Sequence, residues 1–249
     1  MEILLGFLIG VAIGATGVGG GTLTAPALIV LMGYSPRLAV TTALVYSAAV
    51  KLWASGVYLF RRQVDLRVLG YLLAAGVPGT LLGAVVLQRL RSPKTDQWIL
   101  CIIGAVVLTS ASFKLLKPGH EGSAQKSKLH LLPFFAFPIS MEIGFSSAGA
   151  GALGTLVLFH LTSLAPSVVV GTDLVFGTVV SAVGGTVHAY SGQCNWLALS
   201  GMIPAGIVGT LIGTRAGLVI PATILRKAVL LCAMAVAISL ICKGVIGGF

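Results

Sequence analysis

The chain has 249 residues, of which 57% are hydrophobic and 9% are charged, and its formal net charge is +10. Soluble globular proteins carry about 25% charged residues, so this chain has too few to cover a water-facing surface. That excludes a soluble globular protein and a disordered one. The Lys and Arg residues are spread among short segments between apolar runs, which is typical of membrane proteins and not of a nucleic-acid-binding patch. The composition predicts an all-α polytopic membrane protein with no nucleic-acid partner.

The first apolar segment, residues 3–31, is interrupted by the sequence GATGVGGGT at residues 14–22. Glycine costs about 1 kcal/mol relative to alanine inside a helix, so the three consecutive glycines are expected to unwind the segment. No basic residue precedes Arg37, so we expect a first membrane segment here and not a cleaved signal peptide. Three glycines upstream, spaced by four residues, predict a helix face that packs closely against a neighbour. They are Gly6, Gly10 and Gly14.

Six further apolar segments are uninterrupted, and each has roughly the 20 residues that cross the hydrocarbon core. They are residues 38–60, 66–87, 98–116, 167–190, 196–220 and 224–242. A second interrupted segment, 131–161, carries the break GFSSAGAGA at 144–152. The polar interval KPGHEGSAQKSK predicts a solvated linker near the middle of the chain. The expected organisation is a first transmembrane repeat at 1–117, a linker at 118–128 and a second transmembrane repeat at 129–249.

The two halves are related by an internal repeat. Segment 14–83 aligns with segment 144–213 without a gap, and 21 of the 70 aligned positions are identical. The identities include a proline, a glutamine and a shared GxxGTLxG stretch, which apolar composition alone does not supply.

The loop charges indicate how the halves are oriented. If both interrupted segments cross the membrane fully, the basic residues outside the spans divide 8 to 7 between the two sides. If each segment enters and leaves on the same side, the halves are inverted and the division is 10 to 5. The positive-inside rule favours the uneven division. We therefore expect inverted repeats, each with a re-entrant glycine-rich hairpin and three spanning helices, with both termini outside and the linker in the cytoplasm.

The two breaks are the candidate substrate site. Unwinding leaves backbone N–H groups free at the start of each following half-helix, near Thr22 and Ala152. These N–H groups and the positive end of the helix dipole together form an anion site. Paired interruptions at corresponding positions of two halves are the best sequence indication of a transporter's binding site. The alternative is that the glycines only allow tight packing. The candidate residues are Gly17, Gly19, Gly20, Gly21, Thr22, Ser146, Ser147, Gly149 and Gly151.

Several short motifs occur in a specific order. GATGVGGG is followed by TLTAP, Pro36 begins the next apolar segment, VVGT lies at 169–172 and GQCNW at 192–196. Together they resemble the TauE/SafE family of sulfite exporters, which also includes permeases for sulfonates and related organosulfur anions. The resemblance covers about residues 6–227. It implies a secondary transporter that moves a small sulfur oxyanion, sulfite foremost, outward across the cytoplasmic membrane by alternating access.

Five ionisable residues lie inside apolar segments, where a charge is expensive and is by default a functional candidate. They are Lys51, Glu142, His160, Asp173 and His188. Given the resemblance, Lys51 is a candidate to complement a sulfite or sulfonate anion. Glu142, Asp173 and His188 are candidates for proton coupling or for the charge partner of Lys51. The alternative for each is a structural ion pair or cap, and His160 is expected to face the membrane interface.

Hydroxyl groups supply further candidate ligands. Thr42 and Thr172 share a position in the repeat, and with Thr41 they are candidates to coordinate an oxyanion. The alternative is that each hydroxyl bonds back to its own helix. Asp65 and Asn195 also share a repeat position just before a helix, and we interpret both as helix caps.

The sequence contains no Ser/His/Asp set and no His or Cys cluster with ligand spacing. We therefore expect no catalytic site, no metal and no cofactor, and hence a protein that is not an enzyme. The remaining alternatives to a sulfite exporter are an anion channel and an uptake permease for a sulfonate or thiosulfate. The expected partners are the anion and the lipid bilayer, with a homodimer left open.

Overall fold

The computed structural model of the protein describes residues 1–16, 21–89, 129–147, 153–190 and 194–219, together with parts of 98–112 and 231–245. All regular elements in these residues are helices. They are α1 (Glu2–Thr16), α2 (Gly21–Met32), α3 (Pro36–Phe60), α4 (Leu66–Arg89), a 3-10 turn (Leu129–Leu131), α5 (Leu132–Ser146), α6 (Leu153–Leu161), α7 (Pro166–Tyr190) and α8 (Trp196–Val219). Residues 101–105 and 234–242 are helical as well.

Within the described residues, five helical stretches are long and apolar enough to cross a membrane. They are Pro36–Phe60, Leu66–Arg89, Leu129–Ser146, Pro166–Tyr190 and Trp196–Gly213. Four of them match uninterrupted segments of the sequence, and the fifth is the first part of the interrupted segment 131–161. The predicted spans 98–116 and 224–242 lie largely outside the described residues. The prediction of an all-helical, multi-pass membrane protein is confirmed.

Local signals fix where the long helices begin. Pro36 occupies the first turn of α3, where its missing N–H breaks no hydrogen bond. Asp65 caps α4, since its Oδ1 accepts hydrogen bonds of 2.9 Å from the backbone N–H groups of Arg67 and Val68. Asn195 caps α8 in the same way, because its Oδ1 accepts a 3.0 Å bond from the N–H of Ala198. The interpretation of both residues as caps is confirmed.

The helix bounds recur with the same offset as the sequence repeat. Helices α5, α7 and α8 begin and end at the repeat-equivalent positions of α1, α3 and α4, respectively. Each half also has a short helix after its first helix, α2 in one half and α6 in the other.

The first helix of each half packs against the fourth helix of the other half. Glycines allow this close approach, because Gly10 on α1 lies directly against the carbonyl oxygen of Gly206 on α8. Gly14 contacts the backbone of Thr210 in the same interface, and its repeat equivalent on α5, Gly144, contacts the backbone of Thr80 on α4. Together with the contact of Gly6 against Met202, this confirms the predicted glycine face of α1.

The two third helices, α3 and α7, pack against each other and run antiparallel. Gly185 on α7 lies beside Val45 near the start of α3, whereas Gly171 lies beside Tyr58 near the end of α3. At one end of the molecule, the Tyr34 hydroxyl donates a hydrogen bond to Glu2 and accepts one of 2.8 Å from the Asn195 amide. The start of α1 and the end of α2 therefore lie at the same end of the molecule.

Candidate functional site

The boundaries of the two breaks contact each other. Helix α1 ends at Thr16 and α2 begins at Gly21, whereas α5 ends at Ser146 and is followed by Ser147. Gly21 lies directly against the carbonyl oxygen of Ser147, and the Ser147 hydroxyl donates a 3.5 Å hydrogen bond to the carbonyl oxygen of Gly21. Ser147 has a φ of 61°, the left-handed conformation that often ends a helix. The structure thus brings the end of the first break and the start of the second together.

Several candidates within the breaks lie outside the described residues. They are Gly17, Gly19, Gly20, Gly149 and Gly151. Thr22 lies in the first turn of α2, one residue after the helix begins.

The structure brings Lys51 and Asp173 together in its interior. Lys51 on α3 is 2% exposed, and its Nζ packs against Gly177 on α7, 3.0 Å from where a Cβ would stand. Asp173 lies one helical turn before Gly177 and is 5% exposed, and its carboxylate interacts electrostatically with the Lys51 ammonium. The Asp173 Oδ1 also contacts Gly154, in the first turn of α6. A pair of opposite charges therefore lies beside the C-terminal side of the second break.

Glu142 and His188 lie on the other side of that break. The Ser146 hydroxyl donates a hydrogen bond to the Glu142 carboxylate one turn earlier on α5. Buried His188 on α7 places its Nε2 2.8 Å from the carbonyl oxygen of Gly144, a distance at which the ring N–H donates. His160, on α6, is exposed, and its position at the membrane interface stays a prediction.

The threonine candidates are not gathered into one site. The Thr41 hydroxyl donates a 2.9 Å hydrogen bond to the carbonyl oxygen of Arg37, which is the alternative of bonding back to its own helix. Thr172 accepts a 3.0 Å hydrogen bond from the backbone N–H of Asp65. Thr42 is fully buried, and its hydroxyl has no hydrogen-bond partner among the described residues. Because α3 and α7 are antiparallel, Thr42 and Thr172 lie near opposite ends of the helix pair.

Sequence reasoning missed a set of hydroxyls around Lys51. Ser55 lies one turn after Lys51 on α3, and its hydroxyl is 2.8 Å from the hydroxyl of Thr178 on α7. Ser47 lies one turn before Lys51 and is buried, with no hydrogen-bond partner among the described residues. The spacing of these α3 residues by four could have identified a polar helix face.

Two open grooves lie away from the breaks. One, of about 560 Å³, runs between α3 and α7 and is lined mainly by apolar and small residues such as Ala48 and Gly185. The other, of about 640 Å³, lies beside Trp53 and Phe60 on α3. Neither groove is lined by a predicted site residue, and both lie on the apolar outer surface. Over the part of the chain that the structure describes, no three His, Cys, Asp or Glu side chains could hold a metal ion.

The sequence profile described as "Sulfite exporter TauE/SafE" matches residues 2–240, almost the whole chain. The chain belongs to the TauE/SafE family. It is 25% identical over 224 residues to the "Probable membrane transporter protein YjnA" of Bacillus subtilis (strain 168), covering 86% of this chain and 88% of that protein. It is 22% identical over 234 residues to the "Probable membrane transporter protein YunE" of the same strain, covering 85% of each. No solved structure matches the chain significantly. This TauE/SafE protein is thus a member of a membrane transporter family.

Proposed function

We propose that the protein is a secondary transporter that exports sulfite, or a closely related small organosulfur anion, across the cytoplasmic membrane by alternating access. The observation that carries the proposal is the contact between the two breaks, where Gly21 meets Ser147. Two interrupted helices that meet inside a membrane protein are the arrangement in which half-helix N-termini bind anionic groups. Family membership supports a small sulfur anion as the substrate.

The proposed architecture is a pair of inverted repeats, each beginning with a re-entrant hairpin. The antiparallel pairing of α3 with α7 supports the inversion, because these two helices occupy the same place in the repeat. The hydrogen bond between Tyr34 and Glu2 supports the hairpin, since it joins the start of α1 to the residues after α2. In this architecture the two hairpins enter from opposite sides and their tips meet near the middle of the membrane. Rocking of one repeat against the other would then expose the anion alternately to each side.

The proposed anion site uses the main-chain N–H groups of the glycine-rich breaks. Gly17, Gly19, Gly20, Gly21 and Thr22 supply the first break, and Ser146, Ser147, Gly149 and Gly151 supply the second. Thr42 supports a contribution from α3, because its buried hydroxyl has no protein partner among the described residues. Thr41 and Thr172 remain candidates whose hydroxyls would have to exchange their present hydrogen bonds for the anion.

The proposed driving force is the membrane potential, with the anion gradient or protons as the alternatives. An inside-negative potential favours export by about 2.3 kcal/mol per negative charge per 100 mV. Glu142, Asp173 and His188 are the candidates if a proton is coupled. We propose the cytoplasmic (inner) membrane as the location, with both termini outside and residues 118–128 in the cytoplasm, and leave open a homodimer.

Flux into proteoliposomes tests the function directly. The purified protein is reconstituted, and uptake of sulfite, thiosulfate, sulfoacetate and sulfate is measured in parallel. We expect sulfite flux that saturates with concentration and depends on the imposed potential. Single-channel currents would instead identify an anion channel, and the absence of flux for all four anions would refute the proposal.

A substitution at the contact between the breaks tests the site. A Cβ at Gly21 would collide with the carbonyl oxygen of Ser147, so Gly21→Ala should push the breaks apart and lower sulfite flux. The matched control is Gly56→Ala, because a Cβ at Gly56 on α3 meets nothing within 4 Å. Both variants should extract as monodisperse proteins. Equal flux for the two variants would count against a site at Gly21.

A further inference from the structure

The two grooves on the outer surface adjoin along α3 and differ in charge at their far ends. Both are lined by Ala49 and Leu52, near the middle of α3. The groove of about 560 Å³ extends from there to exposed Tyr190 and Trp196, and its described lining residues include no charged one. The groove of about 640 Å³ extends to the end of α3, where exposed Arg61 lines it. We call them the Trp196 groove and the Arg61 groove.

The walls of the Arg61 groove suit a hydrocarbon chain. One wall is the outer face of α3, on which Trp53, Val57 and Phe60 recur at helical spacing and are exposed. Ile207 of α8 lines the groove as well, so the surface is concave and not a single convex helix. A concave apolar surface covers much more of a bound chain than a convex one does. The groove therefore favours one held acyl chain over the passing contacts of bulk lipid.

The end of the Arg61 groove is basic. Residues 61–67 (RRQVDLR) contain three arginines and one aspartate, so this segment carries a net charge of +2. Arg61, Arg62 and Arg67 are all exposed. The Asp65 carboxylate is engaged as the cap of α4, where its Oδ1 accepts two backbone hydrogen bonds. An anionic group at the membrane surface is thus attracted to the point where the apolar groove ends.

Distances along α3 match the layers of one bilayer leaflet. Trp53 precedes Arg61 by eight residues, and a rise of about 1.5 Å per residue separates them by about 12 Å along the helix axis. The hydrocarbon core is about 30 Å thick, so one leaflet contributes about 15 Å. When Arg61 lies at the headgroups, Trp53 therefore lies beside the acyl chains of the same leaflet.

We propose that the Arg61 groove is a binding site for an anionic phospholipid, with an acyl chain against Trp53 and Phe60 and the phosphate on Arg61. Arginine binds phosphate by charge-assisted hydrogen bonds. A zwitterionic lipid balances its phosphate with its own cation, whereas an anionic lipid does not, so the basic end selects the anionic one. The Trp196 groove offers apolar walls without a cation and holds lipids regardless of their charge. In the proposed topology Arg61 faces the cytoplasm, and anionic lipids are found in the cytoplasmic leaflet.

Quenching of tryptophan fluorescence by brominated lipids tests the proposal. The chain has three tryptophans, so replacing two of them by phenylalanine leaves either Trp53 or Trp196 as the reporter. Each full-length variant is reconstituted in phosphatidylcholine vesicles that contain increasing mole fractions of dibrominated phosphatidylglycerol or dibrominated phosphatidylcholine. Beside Trp53 we expect phosphatidylglycerol to bind about five-fold more tightly, which corresponds to about 1 kcal/mol for one basic residue near an anionic lipid. Beside Trp196 we expect no preference.

Two arginine variants separate the groove from the general charge of the surface. Arg67 lies at the same end of the molecule and is exposed, but it is not among the residues that line either groove. With Trp53 as the reporter, Arg61→Gln should reduce the preference to the value at Trp196, whereas Arg67→Gln should retain it.

Three results would overturn the proposal. The first is an equal preference beside Trp53 and Trp196. The second is a preference that survives Arg61→Gln, or one that Arg67→Gln removes to the same extent. The third is a Trp53 that neither brominated lipid quenches, because a second copy of the chain or another segment of it would then cover the groove. None of these results depends on which anion the protein transports.

Discussion

Substituting Gly10 measures how closely α1 and α8 approach each other. A Cβ added at Gly10 would lie 2.8 Å from the Cα of Gly206 and 2.9 Å from its carbonyl carbon, and closer still to the carbonyl oxygen. These are backbone atoms, so only a separation of the two helices can relieve the clash. Gly70 on α4 is the matched control, because a Cβ at that position meets nothing within 4 Å.

Replacing glycine by alanine raises helix propensity by about 1 kcal/mol at both positions. The difference in stability between the two variants therefore isolates the cost of the clash. Forcing extra atoms into a packed interface costs about 1–3 kcal/mol, and we expect Gly10→Ala to be less stable than Gly70→Ala by that amount. Unfolding in mixed micelles with increasing dodecyl sulfate, followed by tryptophan fluorescence, measures the difference. Equal midpoints for the two variants would refute the close contact. Gly14→Ala and Gly144→Ala extend the test, and both should be destabilised.

Three further predictions concern charge and topology. Lys51→Ala leaves the buried Asp173 carboxylate without its cation, so it should lower the free energy of unfolding by about 3–5 kcal/mol. Adding Asp173→Ala in the same chain should restore most of that loss. A double variant that is no more stable than Lys51→Ala alone would contradict the pairing. Burial, together with the Glu2 carboxylate, raises the pKa of Tyr34 from 10.0 to about 12. The stabilisation from the Tyr34 hydroxyl should therefore be complete below pH 10 and be lost as the pH rises toward 12. The difference in melting temperature between wild type and Tyr34→Phe measures this stabilisation, so it should shrink over that range. A difference that grows would contradict the prediction. A cysteine placed in the 118–128 linker of a cysteine-free variant should react with an impermeant maleimide only from the cytoplasmic side, and labelling of intact cells would reverse the topology.

The helices could be predicted from the sequence because their signals are local. Pro36 marks a helix start because it has no N–H to donate, and Asp65 marks one because its side chain accepts a hydrogen bond from the first turn. The glycine face of α1 is equally visible, since small residues spaced by four lie on one side of a helix. The sequence could also place Lys51 and Asp173 within apolar segments, where each needs a partner.

The contacts between distant helices could not be predicted in the same way. The sequence named Asp173 as one of three candidate charge partners of Lys51 but could not choose among them, because the choice depends on how α3 crosses α7. The hydrogen bond between Ser55 and Thr178 depends on the same crossing, which no short motif encodes. The matched positions of Thr42 and Thr172 suggest a shared site when only the sequence is considered. In an antiparallel helix pair, equal positions along the two helices lie at opposite ends, so the same symmetry separates the two hydroxyls.

The packing of α1 against α8, a helix of the other half, has a consequence for how the protein is made. The Thr210 hydroxyl on α8 donates a 3.2 Å hydrogen bond to the carbonyl oxygen of Gly10, which lies 200 residues earlier in the chain. At a synthesis rate of about 5–20 residues per second, the ribosome needs about 10–40 s to produce that partner. During this interval the glycine face of α1 has to be covered by lipid or by the insertion machinery. The packing of α1 against α8 can therefore form only after α8 has entered the bilayer.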